Sequence, residues 1–424
     1  MKRVLILGCN EITKRLLIDL CKHRVYASDI CLSSRQKQDC DELRNLAASM
    51  GVRVVTSGID MTNVEGAMMM VKIFAPDLVI NLLPQELALD AMSLATKAKA
   101  DYIDATLFGV PDIPSPTSLL SKQFRMFGEF HGNGKTAVCG AGFVPGVVNT
   151  VIRRASIYDF RSIDSIDIVS VSGEINGENG SEGDNADHTL YAEDVKASDV
   201  VAAAPGIQKV FYIGNGKVVE VDSQSIEAKS SSGSRVYLSS SPMITDIIKE
   251  IPDVNNARYF KLGRKPSKEH VAPKDKLDLL EEMGLLSDKP VKVGNVEVAP
   301  VDLLAALLPK MSEKASQSSE PQDTRAKGMA SYEIYITGKS RRDDKEITRS
   351  YIIKGDNDSS YEKYNVNAFE QMKASALIAG VKLMCRDKWK KAGVFTPAAF
   401  DCDTYYNAFS VEGIKITEGE GKPF

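Results

Sequence analysis

The sequence lacks the features that mark membrane, secreted and nucleic-acid-binding proteins. None of its apolar runs is long enough to cross a bilayer, and the N-terminus starts directly with a strand pattern instead of a signal peptide. The net charge of −4 argues against nucleic acid or an anionic membrane surface as the main partner. We therefore expect a cytoplasmic protein that binds neither.

The cysteines of the sequence form no recognised motif. The seven cysteines run from Cys9 to Cys402 without a C-x-x-C pair, which is typical neither of a disulfide framework nor of a zinc site. We expect no bound metal. A chain of 424 residues with 43% hydrophobic and 26% charged residues has the profile of an ordinary folded protein with two or three domains.

The first thirty-five residues contain the most informative pattern. Lys2 to Gly8 predicts a buried strand that stops at a glycine, and apolar residues at helical spacing follow from Ile12 to Cys21. A second strand is predicted around Ile30 to Leu32. Strand, glycine turn, helix and strand form the βαβ unit that holds a diphosphate at a helix N-terminus.

The glycine fingerprint of that unit is eroded. The pattern G-x-G-x-x-G appears here as Gly8-Cys9-Asn10-Glu11-Ile12-Thr13, so only the first glycine remains. Asn10 tolerates a left-handed backbone, so the turn can still form, although its side chain occupies space near the phosphates. Glu11 places a negative charge beside the anion site. The alternative is a βαβ unit that binds no dinucleotide.

The end of the second strand indicates which dinucleotide would bind. Ser34 and Arg35 stand where an acidic residue would hold the free ribose hydroxyl of NAD. A hydroxyl and a permanent cation suit the extra phosphate of NADP, with NAD as a further possibility. Arg35 can equally be a solvated arginine. Asp60 can contact the adenine or simply cap the next helix.

Strands and helices alternate regularly after this unit. This predicts an α/β fold with an N-terminal Rossmann-type, doubly wound parallel sheet. Its predicted strands are 52–55, 78–84, 101–104 and 136–140, with helices at 64–74 and 87–99. Asn81, Leu82, Pro84 and Asp104 follow parallel strands, at the edge where such sheets hold ligands. Asp104 is a weak catalytic candidate, with a structural role as the alternative.

A glycine-rich turn follows the sixth strand. Gly140 to Gly146 cannot be a core strand or the middle of a helix, and it leads into a helix predicted from Val147. The N-terminus of that helix can receive an anionic group. We assign Gly142 to the cofactor site, and Phe143, Pro145 and Gly146 to the substrate site.

The character of the chain changes near Ser156. Alternating segments predict a second α+β domain with a mixed or antiparallel sheet, followed by a long helix from Ala368 to Cys385. The segments are 162–172, 208–213, 217–221, 256–263, 331–338 and 345–353. Loops are predicted at 173–187 and 310–327, and helices at 275–286 and 300–309.

Four residues in this second region are candidates for function. Arg258 and Phe260 can contact a substrate carboxylate, although a solvated strand edge explains them as well. His188 and His270 can transfer protons, but solvated or core histidines are the commoner case.

Several segments, in order, resemble the saccharopine dehydrogenase family, and most of all its carboxynorspermidine (carboxyspermidine) dehydrogenase branch. They are Ser33-Ser34-Arg35-Gln36, Asp77-Leu78-Val79-Ile80-Asn81, Tyr102-Ile103-Asp104-Ala105, Gly142-Phe143-Val144-Pro145-Gly146, Glu282-Met283-Gly284-Leu285 and Lys388-Trp389-Lys390-Lys391. The family's G-F-D-P-G aspartate is Val144 here.

The resemblance implies an NADP-dependent oxidoreductase that acts on C–N bonds, reducing an imine or oxidising a secondary amine. The substrate would be a small amino-acid or polyamine-type molecule. The resemblance further implies an NADP-binding domain over residues 1–140, rejoined by 370–424, and a substrate-binding and dimerisation domain over 141–369, in a homodimer. The eroded fingerprint and Val144 leave one alternative, a catalytically degenerate member that binds a ligand or regulates.

Overall fold

A computed structural model provides the structure of the protein. The structure describes residues 1–61, 63–84, 87–105, 123–171, 174–175, 209–222, 226–233, 235–239, 241–251, 253–262, 283–285, 287, 289–294, 296–300, 303 and 326–421. His188 and His270 lie outside the described residues. So do most of the helices predicted at 275–286 and 300–309, and the greater parts of the loops predicted at 173–187 and 310–327.

The described chain contains strands in the following order. They are β1 (Lys2–Leu7), β2 (Ala27–Ser34), β3 (Val55–Gly58), β4 (Leu78–Asn81), β5 (Asp101–Asp104), β6 (Thr136–Val138), β7 (Phe160–Val171), β8 (Glu174–Ile175), β9 (Lys209–Gly214), β10 (Lys217–Asp222), β11 (Glu227–Lys229), β12 (Arg235–Ser239), β13 (Asn256–Leu262), β14 (Val291–Val293), β15 (Val296–Val298), β16 (Ala326–Lys327), β17 (Met329–Ser340), β18 (Glu346–Asp356), β19 (Gly393–Phe395) and β20 (Ile416–Glu420).

The helices of the described chain are α1 (Glu11–Lys22), α2 (Asp41–Ser49), α3 (Val64–Phe74), α4 (Ala88–Lys97), α5 (Phe127–Gly132), α6 (Val148–Tyr158), α7 (Pro242–Glu250), α8 (Asn357–Tyr364), α9 (Ala368–Cys385) and α10 (Cys402–Val411). Short 3₁₀ turns cover Lys37–Cys40 and Pro397–Ala399.

The first sheet is parallel throughout, in the order β19-β6-β5-β4-β1-β2-β3. Strand β1, in the interior of this sheet, is apolar on both faces: Val4 and Ile6 pack into one core, Leu5 and Leu7 into another. A parallel strand that is buried on both faces needs a continuous apolar run, which is what Val4 to Leu7 provides. The predicted doubly wound sheet is therefore confirmed.

The second sheet is mixed, as predicted. Its main path is β10-β9-β13-β7-β17-β18-β20, with β12 beside β13 and β11 beside β12. Only the β13–β7 pair is parallel among its described pairings. One face, which we call the inner face, packs in the same core as α1, α6 and α9, while Val169, Phe260 and Tyr335 form a separate cluster on the outer face.

The chain returns to the first sheet near its end. Helix α9 carries Gly380, where an added Cβ would lie 3.0 Å from Trp389 and 3.1 Å from Ile103, so α9 packs closely against the first sheet. Strand β19 then pairs in parallel with β6, Gly393 opposite Thr136. The first sheet is therefore completed by residues far along the chain. The domain boundaries given above stay a prediction.

Most predicted elements are present, but the strand predicted at Val52–Val55 is wrong. The amide of Val52 donates to the carbonyl of Ala47, and Gly51 has a φ of +70°, so these residues close the end of α2. The strand starts only at Val55, where pairing with β2 begins. Because α2 ends in a turn with a left-handed glycine, the first residues of the expected strand belong to that turn.

Candidate functional site

The order in which the chain adds strands to the first sheet reverses between the neighbouring strands β1 and β4. The chain runs outward from β1 to β2 and β3 on one side, and from β4 to β5 and β6 on the other. The amide of Leu82 donates to the carbonyl of Leu7 at 2.8 Å, so the two strand ends lie side by side. Ligands of open α/β sheets bind in the crevice at such a switch point.

The turn after β1 depends on Gly8. Its φ is +101°, a conformation that favours glycine, and an added Cβ would lie 2.7 Å from the carbonyl oxygen of Leu82. The Gly8 amide donates to the carbonyl of Ser33 at 2.7 Å, which fixes the turn between β2 and β4. The backbone therefore passes closely over the switch point, as diphosphate binding requires.

The backbone conformation and the role of Asn10 both differ from those expected. Its φ of −138° is extended, so the expectation of a left-handed Asn10 is wrong. Its Oδ1 accepts from the Thr13 amide at 3.0 Å, and its Nδ2 donates to the Leu82 carbonyl at 3.0 Å. The Thr13 hydroxyl in turn donates to the Gly8 carbonyl at 2.8 Å. Asn10 and Thr13 form a capping box that holds the eroded turn together.

This box leaves the start of α1 available to an anion. The first-turn amides of Glu11 and Ile12 have no acceptor within the helix, and the helix dipole adds partial positive charge there. The Glu11 carboxylate lies 3.8 Å from the Lys14 ammonium on the same helix, which offsets its charge. The residues present therefore fit a diphosphate group at this helix N-terminus.

The end of β2 presents a cation to solvent. The side chain of Arg35 is 80% exposed, with its Nε 4.0 Å from an Asp60 carboxylate oxygen. The Ser34 hydroxyl donates to Asp39 at 2.6 Å. The cap of α3 is Asn63, so the expected capping role of Asp60 is wrong. Arg35 and Asp60 thus lie together beside the turn, with the Arg35 guanidinium accessible to a phosphate.

Asn81 and Asp104 are joined in a buried network. The side-chain amide of Asn81 donates to the Tyr102 hydroxyl at 3.0 Å, and that hydroxyl donates to Asp104 at 3.0 Å. Gln123 and the Gly140 amide also donate to Asp104, at 3.3 Å and 2.6 Å. Burial and the nearby carboxylate raise the pKa of Tyr102 well above its ordinary value. The network fixes the strand ends β4, β5 and β6 relative to one another.

The glycine-rich turn after β6 packs against the end of β5. At Gly142 an added Cβ would lie 1.8 Å from the Ala105 carbonyl oxygen, and at Gly146 it would lie 2.7 Å from the Gly140 carbonyl oxygen. Both glycines are therefore required by close backbone approach. Pro145 is buried in this turn, which delivers the chain into α6.

Phe143 connects this turn to the second sheet. Its ring packs edge-on against Tyr332 with centroids 5.0 Å apart, and Tyr332 packs in the same way against Phe369. The hydroxyls of Tyr259 and Tyr332 are 3.4 Å apart, and burial raises the pKa of both tyrosines. Sequence reasoning missed the two tyrosines, because the alternation along β13 does not show which face of the strand meets the inner core.

Arg258 and Phe260 do not join this cluster. Both lie on the outer face of the second sheet, because they alternate with the inner-face residue Tyr259 along β13. Arg258 forms a two-bond ion pair with the buried Asp167, at 2.7 Å and 2.9 Å. The structure therefore separates the five expected substrate residues into two groups on opposite faces.

Within the described ranges, no group of three or more histidine, cysteine or acidic side chains is arranged to hold a metal ion. The helices described also include none with the length and apolar character needed to span a bilayer.

The strand order, the glycine turn at the switch point and the capped helix together define a dinucleotide-binding α/β protein with a second, mixed-sheet region. Residues 4–138 match the family model described as the saccharopine dehydrogenase NADP binding domain. The N-terminal region of the chain is thus similar to the NADP-binding domain of saccharopine dehydrogenases, which confirms the family resemblance found in the sequence and supports an NADP-dependent oxidoreductase.

Two relatives match the chain over most of its length. The chain is 26% identical to the carboxyaminopropylagmatine dehydrogenase of Synechocystis sp., with 100% of this chain and 99% of the relative covered. It is 23% identical to the carboxynorspermidine synthase of Vibrio alginolyticus, covering 91% and 89%. The fold is that of the saccharopine dehydrogenase (L-Glu forming) of Saccharomyces cerevisiae, with a TM-score of 0.66, 15% identity and full coverage of both chains.

Proposed function

We propose that the protein uses NADPH to reduce an imine, formed between an amine and a carbonyl compound, to a carboxylated secondary amine. The observation that carries this proposal is the full-length similarity to the carboxyaminopropylagmatine dehydrogenase. The compounds in the names of the two relatives, carboxyaminopropylagmatine and carboxynorspermidine, are linear amines that carry several nitrogens and one carboxyl group. Bound NADPH supplies the hydride, and the protein supplies binding and orientation.

The cofactor would lie along the carboxyl edge of the first sheet. Its diphosphate would contact the turn and the capped helix, and its phosphorylated ribose would contact Arg35. The nicotinamide end would then extend toward the glycine-rich turn. Asp104 acts here as a positioning residue, because its carboxylate holds the Gly140 amide. The residues proposed for this site are Gly8, Asn10, Glu11, Ile12, Ser34, Arg35, Asp60, Asn81, Leu82, Pro84, Asp104 and Gly142.

The substrate would lie between that end and the inner face of the second sheet. Lys261 lies on this face, with its ammonium 5.7 Å from the centroid of the Tyr259 ring. The Lys261 side chain is exposed, while partial loss of hydration around its ammonium lowers the pKa of Lys261, and an anionic partner would offset this cost. We propose that Lys261 pairs with the substrate carboxylate.

The aromatic residues of the inner face lie beneath the proposed substrate site. Phe143, Tyr259 and Tyr332 are almost completely buried, so we propose that their rings support the wall of the site beside Lys261. Pro145 and Gly146 shape the turn that carries Phe143. Lys261 is directly opposite Ser170 in the sheet register, and Ser170 is opposite Tyr332, so the cation and the rings lie on neighbouring strands.

Three further features stay proposals; the first two rest on the family resemblance and the third on the composition of the chain. They are a substrate-binding and dimerisation domain over residues 141–369, assembly as a homodimer, and a cytoplasmic location. Arg258 is better explained as the partner of Asp167 than as a substrate ligand.

The test is a reductive coupling assay. Purified protein is mixed with NADPH, a carboxylated aldehyde and one of several amines, including agmatine and linear diamines. We expect loss of nicotinamide absorbance and a product whose mass is that of the imine plus two hydrogens. Binding of NADPH without turnover of any pair would instead favour a ligand-binding protein.

A matched pair of variants tests the substrate assignment. Lys261→Ala should raise the KM for the carboxylated aldehyde by about tenfold or more, since a hydrogen-bonded charge pair contributes about 1.5–3 kcal/mol. The affinity for NADPH should stay unchanged. Lys217→Ala, which removes an exposed lysine from β10, is the control. An unchanged KM in Lys261→Ala would remove Lys261 from the site.

A further inference from the structure

Two cysteines meet underneath the proposed diphosphate turn. Cys9 lies between Gly8 and the capping residue Asn10, and Cys40 ends the 3₁₀ turn that precedes α2. Their Sγ atoms are 2.8 Å apart. Disulfide formation requires an approach to about 2.05 Å with little movement of the backbone, so the two thiols are already positioned for it.

The surroundings of the pair favour oxidation. Cys9 is half-buried and reachable from the turn, whereas Cys40 is completely buried. The hydrogen bond from the Cys9 thiol lowers the pKa of Cys40, and the backbone of Ser34 acts in the same direction. The same thiol contact, together with burial, raises the pKa of Cys9. The first proton to leave the pair therefore leaves a thiolate on Cys40, which the Cys9 thiol stabilises by its hydrogen bond.

The other five cysteines have different surroundings. Cys21, Cys31, Cys139, Cys385 and Cys402 are all buried. Burial raises the pKa of Cys31 to about 12 and that of Cys385 to about 12. Buried thiols of that kind are inert toward oxidants. Within the described ranges, Cys9 and Cys40 therefore stand apart because they combine access with a sulfur–sulfur contact.

We propose that Cys9 and Cys40 are a modification site, a dithiol that a hydroperoxide oxidises to a disulfide when the nucleotide site is empty. The Cys9 thiol passes its proton to the Cys40 thiolate across the 2.8 Å contact as its sulfur attacks a peroxide oxygen, the O–O bond breaks, and hydroxide leaves, giving a sulfenic acid on Cys9. Cys40 then attacks the Cys9 sulfur, the S–O bond breaks, and a second hydroxide leaves. The sulfurs lose two electrons, peroxide gains them, and the two thiol protons convert both hydroxides to water.

Protection by cofactor follows from the position of Cys9. The proposed diphosphate site covers residues Gly8 to Ile12, so bound NADPH would cover the accessible sulfur; this part rests on the proposed function. With NADPH at about 100 times its Kd, oxidation should slow by up to about 100-fold, because only the unliganded fraction reacts. The disulfide would also join the diphosphate turn covalently to the segment that follows Arg35.

The experiment treats the reduced, full-length protein with hydrogen peroxide, then alkylates the remaining thiols for intact-mass and peptide analysis. Wild type should take up two fewer alkyl groups than the reduced protein and yield a cross-linked Cys9–Cys40 peptide. Cys21→Ala, the control, should behave in the same way. Cys9→Ser and Cys40→Ser should each lose the cross-link. A two-thiol loss that persists in both serine variants, or no cross-link in wild type, would overturn the proposal.

A second arm repeats the oxidation with saturating NADPH. Slower formation of the cross-link supports both the dithiol and the proposed position of the diphosphate. Formation at the original rate, in protein that binds NADPH, supports the dithiol and overturns the diphosphate position. The failures of the two proposals are thereby separable.

Discussion

The two ends of the proposed nucleotide site are built in different ways. At one end, Asp104 is 1% exposed and receives donors from Tyr102, Gln123 and Gly140. At the other, Arg35 is 80% exposed and has a distant contact with Asp60. The buried end holds three strands in place, while the exposed end is available to recognise a ligand. Substitutions at the first should therefore change stability, and substitutions at the second should change affinity.

The largest effect is expected from Asp104→Ala, compared with Asp60→Ala. Removing the Asp104 carboxylate strands three donors in the core, which should lower the free energy of unfolding by about 3 kcal/mol or more. Asp60→Ala, at the exposed end, should change it by no more than about 0.5 kcal/mol. Urea unfolding, followed by fluorescence of the single tryptophan, Trp389, measures both. Similar losses of unfolding free energy in the two variants would contradict the proposed difference between the buried end and the exposed end.

An intermediate effect is expected from Arg35→Ala, and it should be specific to one cofactor. Losing a charge-assisted contact of about 1.5–3 kcal/mol should weaken NADPH binding by about 10- to 100-fold and leave NADH binding unchanged. Nicotinamide fluorescence titration reports both affinities. Arg53→Ala, another exposed arginine near β3, is the control. If NADPH and NADH affinities fall together, Arg35 does not recognise the ribose phosphate.

The smallest effect is expected from Asn10→Gly, which restores the second glycine of the fingerprint. The free energy of unfolding should fall by about 1 kcal/mol, because the bond to the Leu82 carbonyl is lost while glycine still serves as an N-cap. NADPH affinity should stay within about threefold of wild type, since the Asn10 side chain is held within the turn. A gain of about tenfold or more would show that this side chain obstructs the diphosphate.

The sequence was sufficient for many elements and insufficient for their contacts. Helices α3 and α9 begin and end at the predicted residues, because their apolar content and the residues that flank them are local signals. Each of the two begins directly after an asparagine cap, Asn63 for α3 and Asn367 for α9. The network from Asn81 to Asp104 depends on strand order, which no local pattern contains.

The local sequence also could not show which residues of β13 lie on which face of the second sheet. Arg258 and Phe260 alternate with Tyr259 and Lys261, and both pairs mix an aromatic ring with a cation. Only the pairing of β13 with β7 and β12 shows which pair meets the inner core. Likewise, Asn10 gave no sign that it would cap α1 through Thr13 instead of adopting a left-handed conformation.

The pairing of β19 with β6 also bears on how the protein is made. Strand β6 pairs on one side with β19, where Gly393 lies opposite Thr136. During synthesis this side of β6 therefore stays unpaired until the chain has been made as far as β19. Such distant closure slows folding and prolongs the exposure of an open strand edge. A fragment that ends after β6 would expose β6 as the edge strand in place of β19, and we expect it to associate more readily than the complete chain.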